Sequence, residues 1–211
     1  MTIEKRNFDK EAASWDENPA RIKLADDVAN AISENIMLTS DMDLLDFGCG
    51  TGLLTLNLQP KVRSITGVDS SPGMLGIFKA KIAGQNLSNV KALHTDLDNG
   101  DVLSGTYDVV VSSMTLHHVK EIKPLLAQFY KILVSSGYLC IADLEPDDGQ
   151  FHGSNVTGVF HSGFDLAELR QEFIHAGFDD VRDMTAAEVI KPISGGEMRR
   201  FSVFLMVGRK K

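Results

Sequence analysis

The sequence predicts an α/β fold in which a mainly parallel, buried sheet lies between layers of helix. Three observations lead there. Apolar runs of strand length recur at Leu44–Phe47, Ser64–Val68, Val90–Leu93, Tyr107–Val111 and Tyr138–Ala142, and helix-like or loop segments separate most of them. A chain of 211 residues with 43% hydrophobic content also suffices for one domain with a sizeable core.

Taken in order, Phe8–Asp16 and Arg21–Met37 read as helices laid over the sheet. The run Leu44-Leu45-Asp46-Phe47-Gly48-Cys49-Gly50-Thr51-Gly52-Leu53-Leu54 is an apolar strand that enters a glycine-rich turn and then a helix. After the second strand, Ser71 and Pro72 open a helix that runs to about Ala83, because proline suits a first helical turn whose N–H groups lack intrahelical partners. Residues 145–163 are polar and rich in Gly, Asp and His, which predicts a functional loop or lid. Asp165-x-x-Glu168 then caps a helix ending near Gly177. The last two segments, Val181–Ile190 and Phe201–Gly208, carry β-branched and aromatic residues and are joined through Pro192 and Gly195-Gly196, which predicts an antiparallel, hairpin-like ending.

Composition narrows the class. No stretch reaches the roughly 18 apolar residues of a membrane span, so a soluble, cytoplasmic protein is expected. A formal net charge of −8 repels a phosphate backbone, which disfavours a nucleic-acid partner. The two cysteines, Cys49 and Cys140, sit in apolar or glycine-rich segments without metal-ligand spacing and are expected to be reduced packing residues.

The glycine-rich turn is the most informative segment. A dinucleotide fingerprint requires G-x-G-x-x-G, yet the glycines here fall at 48, 50 and 52 and Leu53 occupies the last required position. Asp46 at the strand end would crowd a pyrophosphate, whereas it suits a cofactor that carries an amino group. The run D-x-G-x-G-x-G resembles the first motif of class I S-adenosylmethionine-dependent methyltransferases, and the likeness extends over about residues 40–145. It implies a three-layer α-β-α Rossmann-like methyltransferase fold, with a seven-stranded, mostly parallel sheet and an antiparallel last strand. It also implies S-adenosyl-L-methionine as cofactor, with S-adenosyl-L-homocysteine as product.

The resemblance assigns the cofactor site as follows. Asp46, Gly48, Cys49 and Gly50 form the first strand end. Asp69 stands 23 residues after Asp46, the offset at which an acidic residue holds ribose hydroxyls, and Ser70 and Met74 follow it. Asp96 would accept the adenine amino group with Leu97 beside the ring, although Asp96 also reads as the start of the turn before Asn99-Gly100. Ser112 and Ser113 would touch the methionine part. Trp15 and Arg21 would close over that end, or pack down with Phe8 on one helical face.

A sulfonium cofactor carries its own leaving group, so the protein must mainly align the nucleophile and exclude water. His117 and His118 are the candidates for a catalytic base, since imidazole titrates near neutral pH, or for pocket wall. Asp143, Glu145, His152 and His161 are further candidates beyond the fifth strand. No metal is expected, because Asp147, Asp148, His152 and His161 show no short ligand spacing. The fourth strand lacks the Asn/Asp-Pro-Pro-Tyr/Phe run of amino-methylating enzymes, and no Pro-Cys pair is present, which leaves a small-molecule O, N, S or C acceptor. The competing readings are an oxidoreductase using NAD, a non-catalytic module that binds S-adenosylmethionine, and an aminopropyltransferase. The expected organisation is one domain over 1–211, divided into a helical cover at 1–39, a cofactor core at 40–145, and a lid loop, helix and closing strands at 146–211. The sequence gives no indication of oligomeric state.

Overall fold

The computed structural model describes residues 6–152, 156–193 and 195–211. Its strands are β1 (Asp43–Phe47), β2 (Ser64–Asp69), β3 (Val90–His94), β4 (Tyr107–Ser113), β5 (Leu133–Leu144), β6 (Phe178–Pro192) and β7 (Met198–Lys210). They form one seven-stranded sheet in the order β3-β2-β1-β4-β5-β7-β6. The first five strands pair in parallel, while β7 runs antiparallel between β5 and β6, as the sequence predicts for the last strand.

The helices are α1 (Pro19–Asn35), α2 (Leu53–Leu58), α3 (Pro72–Gly84), α4 (Ile122–Ile132) and α5 (Leu166–His175). Their starts are where local chemistry puts them. Asn18 accepts a hydrogen bond from the Ala20 N–H ahead of Pro19, Ser71 accepts from Met74 N ahead of Pro72, and Asp165 accepts from Ala167 and Glu168.

Strand periodicity builds the three layers. Leu44, Val109, Val111, Cys140, Ala142, Leu205 and Val207 face a core shared with α1, α2 and α3. Their neighbours Leu45, Val110, Leu139, Ile141, Phe204 and Met206 face the opposite core with Phe129 of α4 and Phe173 of α5. Each fully buried Leu, Ile, Val or Phe contributes about 1.5–3 kcal/mol, so the two faces together clamp the strand ends in fixed positions. Both cysteines are buried and unpaired, as expected.

Three segments differ from the sequence reading. Phe8–Asp16 is not an α-helix but two 3-10 turns, Phe8–Lys10 and Ala12–Glu17, which fasten onto α3 through Asp9: its carboxylate accepts from Ser71 Oγ and Gly73 N. Side chains committed to such long-range bonds hold the chain in short turns. Strand β5 begins five residues earlier than its apolar run, and β6 and β7 extend beyond their β-branched cores, because ladder bonds with a neighbouring strand carry polar residues into the sheet. Among the described residues, no helix is long and apolar enough to cross a membrane.

Candidate active site

Between β1 and β4 the strand order reverses, and the crevice beyond the carboxyl ends of the strands is where open α/β sheets bind ligands. A cavity of about 480 Å³ opens there, within the range of small-molecule sites.

The glycine loop floors it. Gly48 and Cys49 donate their N–H groups to the Val68 carbonyl at 2.8 and 3.1 Å, which hooks the loop over the end of β2. Gly48 has φ +73° and Gly52 φ +84°; a β-carbon would stand 2.2 Å from Thr115 Oγ1 at the first and 2.2 Å from the Phe78 ring at the second. Glycine is therefore required by both backbone and space. Gly50, by contrast, faces open space where a ligand can approach its backbone.

Acidic side chains ring the loop. Asp46 is buried and accepts from Thr55 Oγ1, and burial, aided by the nearby Asp69 charge and opposed by the Thr55 bond, pushes its carboxyl up to about 7. Asp69 accepts from Gly50 N and Ser71 N, both at 2.8 Å, and thereby ties the glycine loop to the start of α3. Asp96 caps its own turn, accepting from Asp98 N and Asn99 Nδ2, so the turn reading holds. It also lines the cavity, half-exposed rather than buried.

Cys49, Ser70, Met74, Leu97 and Ser113 line the same cavity, as do Trp15 and Arg21 from the amino-terminal turns. The Arg21 guanidinium lies 3.7 Å from the centre of the Trp15 ring, and Phe8 meets Trp15 edge-on at 5.9 Å, so this cover is both packed down and turned toward the cavity. Ser112 does not line the cavity. It is buried inside the sheet and donates to the Phe47 carbonyl at 2.9 Å, because β4 pairs Phe47 with Ser112 in register. The serine at the strand end that reaches the cavity is Ser113 alone.

At the far end stand three histidines. His117 is buried, and its Nδ1 lies 2.7 Å from Asp143 Oδ1. Burial pushes the Asp143 carboxyl upward, but His117 and backbone N–H bonds outweigh it and hold Asp143 below its ordinary range as a carboxylate. A carboxylate only accepts, so Nδ1 of His117 carries the proton. His118 donates from Nδ1 to the Gly158 carbonyl at 2.6 Å by the same logic. His152 Nε2 lies 3.0 Å from His117 Nε2. Burial and the neighbouring rings push His118 down to about 4 and His152 down to about 3, so both are neutral at pH 7.

Of the remaining candidates, His161 bonds the Val119 carbonyl outside this cavity, and Glu145 also lies outside it, its N–H donating to Ser202 O. Asp147 folds its own loop by accepting from Gly149 and Phe151, and Asp148 is exposed and pairs with Arg199. The loop predicted over 145–163 is strapped down where it is described: Phe160 N donates to the His117 carbonyl and Phe164 N to the Leu144 carbonyl. Gly153, Ser154 and Asn155 lie outside the described residues. Sequence reasoning missed Arg6, Phe151 and Lys191, which wall the histidine end. No local motif marks them, since a strand end and a loop become walls only through long-range packing.

Comparison with known proteins agrees with this arrangement. Residues 19–184 match the family described as a methyltransferase domain. An uncharacterized methyltransferase of Schizosaccharomyces pombe is 34% identical over 188 residues, covering 82% of this chain, and the chain spans about two thirds of that relative's length, 66%. Among solved structures, a chain from the complex of the Haloferax volcanii Trm112 methyltransferase activator with a methyltransferase superposes with a TM-score of 0.74, at 18% identity and 98% coverage of both chains. Phosphoethanolamine N-methyltransferase 2 of Haemonchus contortus, solved with S-adenosyl-L-methionine, superposes with a TM-score of 0.68 at 15% identity, covering 86% of this chain and 52% of that one. Since the family match runs from the start of α1 into β6, the chain belongs to the family of methyltransferase domains.

Proposed function

We propose that the chain transfers the methyl group of S-adenosyl-L-methionine to an O, N, S or C nucleophile of a small molecule, with the methyl donor along the glycine loop and the acceptor at the histidine end. The observation that carries this reading is the continuity of the cavity from Asp46, Gly50 and Asp69 to His117 and His118. In this reading Asp46 faces the amino group, Asp69 takes the ribose hydroxyls, Asp96 and Leu97 border adenine, and Ser113 borders the methionine chain. Trp15 and Arg21 close over it. Residues 1–39 then act as cover, 40–145 as cofactor core, and 146–211 complete the acceptor end within one domain.

The chemistry asks little of the protein beyond geometry. The nucleophile attacks the methyl carbon, the carbon–sulfur bond breaks, and its electron pair stays on sulfur to give S-adenosyl-L-homocysteine. Residues that exclude water and fix the line of attack supply the rate, and a histidine assists where the acceptor must shed a proton. A cavity of this size favours a small acceptor. A nicotinamide dinucleotide fits less well, because Asp46 would oppose its diphosphate and the third glycine of its fingerprint is missing, while an acid such as Asp69 suits the ribose of either cofactor.

The high carboxyl pKa of Asp46, about 7, gives this reading a pH signature. An ammonium group seated beside Asp46 favours the carboxylate, so binding must expel the proton wherever the free protein holds one. Affinity for S-adenosyl-L-methionine should therefore fall by about tenfold from pH 8 to pH 6, with proton release seen in buffers of different ionisation enthalpy. A flat affinity over that interval would remove Asp46 from the amino-group site.

The direct test titrates the protein calorimetrically with S-adenosyl-L-methionine, S-adenosyl-L-homocysteine and NAD, then incubates it with methyl-labelled cofactor and a fractionated extract. Saturable binding of both sulfur compounds but not NAD, with label entering the low-mass fraction, is the expected result. Binding of NAD alone, or label confined to protein or nucleic acid, would overturn the proposal.

A further inference from the structure

The three histidines carry more order than a pocket wall needs. His117 and His118 are adjacent in the 3-10 turn Leu116–His118, while His152 arrives from the loop after β5. One nitrogen of each lies within 4.8 Å of the others, and all three rings line the cavity. Two of the rings are held by bonds from their far nitrogens: His117 Nδ1 to the buried Asp143 carboxylate at 2.7 Å, and His118 Nδ1 to the Gly158 carbonyl at 2.6 Å. Bonds of that kind fix the tautomer of metal-ligating histidines and orient the remaining nitrogen, with a carboxylate partner raising its basicity.

The contact between His117 Nε2 and His152 Nε2 sharpens the point. The two nitrogens stand 3.0 Å apart, a spacing at which a lone pair on one must meet a positive centre shared with the other. A proton carried by either ring suffices in the structure as it stands. A divalent ion does the same: at about 2.0–2.1 Å from each nitrogen in tetrahedral array it sets the nitrogens about 3.3 Å apart. Ring movements on the order of 1 Å bring all three to that spacing. The nearby Arg6 guanidinium, 3.5 Å from His152 Nδ1, is already paired with Glu11 at 2.7 and 2.8 Å, which offsets its charge.

We propose that His117, His118 and His152 form a site for a divalent transition metal, Zn²⁺ first among them, whose open position faces the cavity and receives the acceptor's heteroatom. Three imidazoles with one open position are the donor set of a catalytic rather than a structural zinc site. Sequence spacing could not reveal it, since the third ligand is 34 residues beyond His118. The role in the reaction rests on the methyl-transfer reading, although the site itself does not. A metal-bound hydroxyl or thiol would lose its proton to water more readily, and a remaining lone pair on that oxygen or sulfur would attack the methyl carbon as the carbon–sulfur bond breaks and its electrons stay on the cofactor sulfur.

The experiment uses untagged full-length protein, stripped with a chelator. Zn²⁺ is titrated by calorimetry, and Co²⁺ by visible absorption, in wild type, His118→Ala and His152→Ala, with S-adenosyl-L-methionine titrated alongside to report an intact cofactor site. The expected result is one equivalent of Zn²⁺, a tetrahedral Co²⁺ spectrum, and at least tenfold weaker metal binding in both variants with cofactor affinity held. Absence of saturable one-to-one uptake, or equal metal affinity in wild type and both variants, would overturn the site. Cofactor binding without metal uptake would sink the metal alone. Metal uptake without cofactor binding would sustain the site while ending the methyl-transfer reading.

Discussion

His117→Asn should lower turnover by roughly a hundredfold or more while leaving the affinity for S-adenosyl-L-methionine within about threefold, the size of effect expected when a group that assists proton loss is removed. Asparagine is the informative substitution because its Nδ2 stands where the imidazole Nδ1 stood. The buried Asp143 carboxylate, which also accepts from Leu144 N at 2.7 Å, then keeps a donor. What vanishes is Nε2, the nitrogen that meets His152. Alanine would instead strip the buried Asp143 carboxylate of its side-chain donor and leave it only the backbone N–H groups of His117 and Leu144, at a cost of about 1–3 kcal/mol that would confuse loss of chemistry with loss of fold. Single-turnover rates measured at saturating cofactor in protein of wild-type melting temperature check the point. An unchanged rate would reduce His117 to pocket wall.

The contrast between Ser112 and Ser113 shows where sequence reading stops. The glycine loop, the Ser71–Pro72 helix start and the Asp165 cap were legible because each is a local bargain among residues within a few positions, with a backbone need that few side chains can meet. The antiparallel final strand was legible through the resemblance and through the glycine pair that turns the chain. Ser112 and Ser113 look alike in sequence, yet strand register turns one into the sheet toward the Phe47 carbonyl and the other to the cavity. A parity of one residue decides that, and the end of an apolar run does not mark it. The pairing of His117 with Asp143, 26 residues on, depends on β4 and β5 lying side by side. His152 adds a third partner that no spacing rule anticipates. Phe8 and Trp15, seven residues apart, promised a helix face, but Asp9 bonding to Ser71 and Gly73 pulled that segment into short turns. The glycine-loop half of the cavity is thus written mostly in local motifs, and the histidine half mostly in long-range packing.

Asp69→Ala should weaken S-adenosyl-L-methionine binding by more than tenfold, and it separates two roles that one carboxylate performs. Its oxygens accept from Gly50 N and Ser71 N, so the residue braces the glycine loop against the start of α3. A carboxylate accepts up to about four hydrogen bonds, so bracing the loop and holding a ribose diol are compatible. Each bond to a charged acceptor is worth about 1.5–3 kcal/mol, and about 1.4 kcal/mol is tenfold in affinity, so losing the ribose contacts alone reaches the predicted effect. The Asp69 charge also helps to hold the Asp46 carboxyl high. Removing it should let Asp46 ionise at lower pH, so that the fall in affinity toward acid begins lower in the variant than in wild type. A brace with no ligand contact predicts a different pattern: a lower melting temperature with wild-type affinity at saturating folding conditions. Calorimetry at pH 6, 7 and 8 on both proteins distinguishes the two: the pH midpoint moves in either case, but only loss of a ligand contact weakens binding at pH 8, where Asp46 is largely ionised in both proteins.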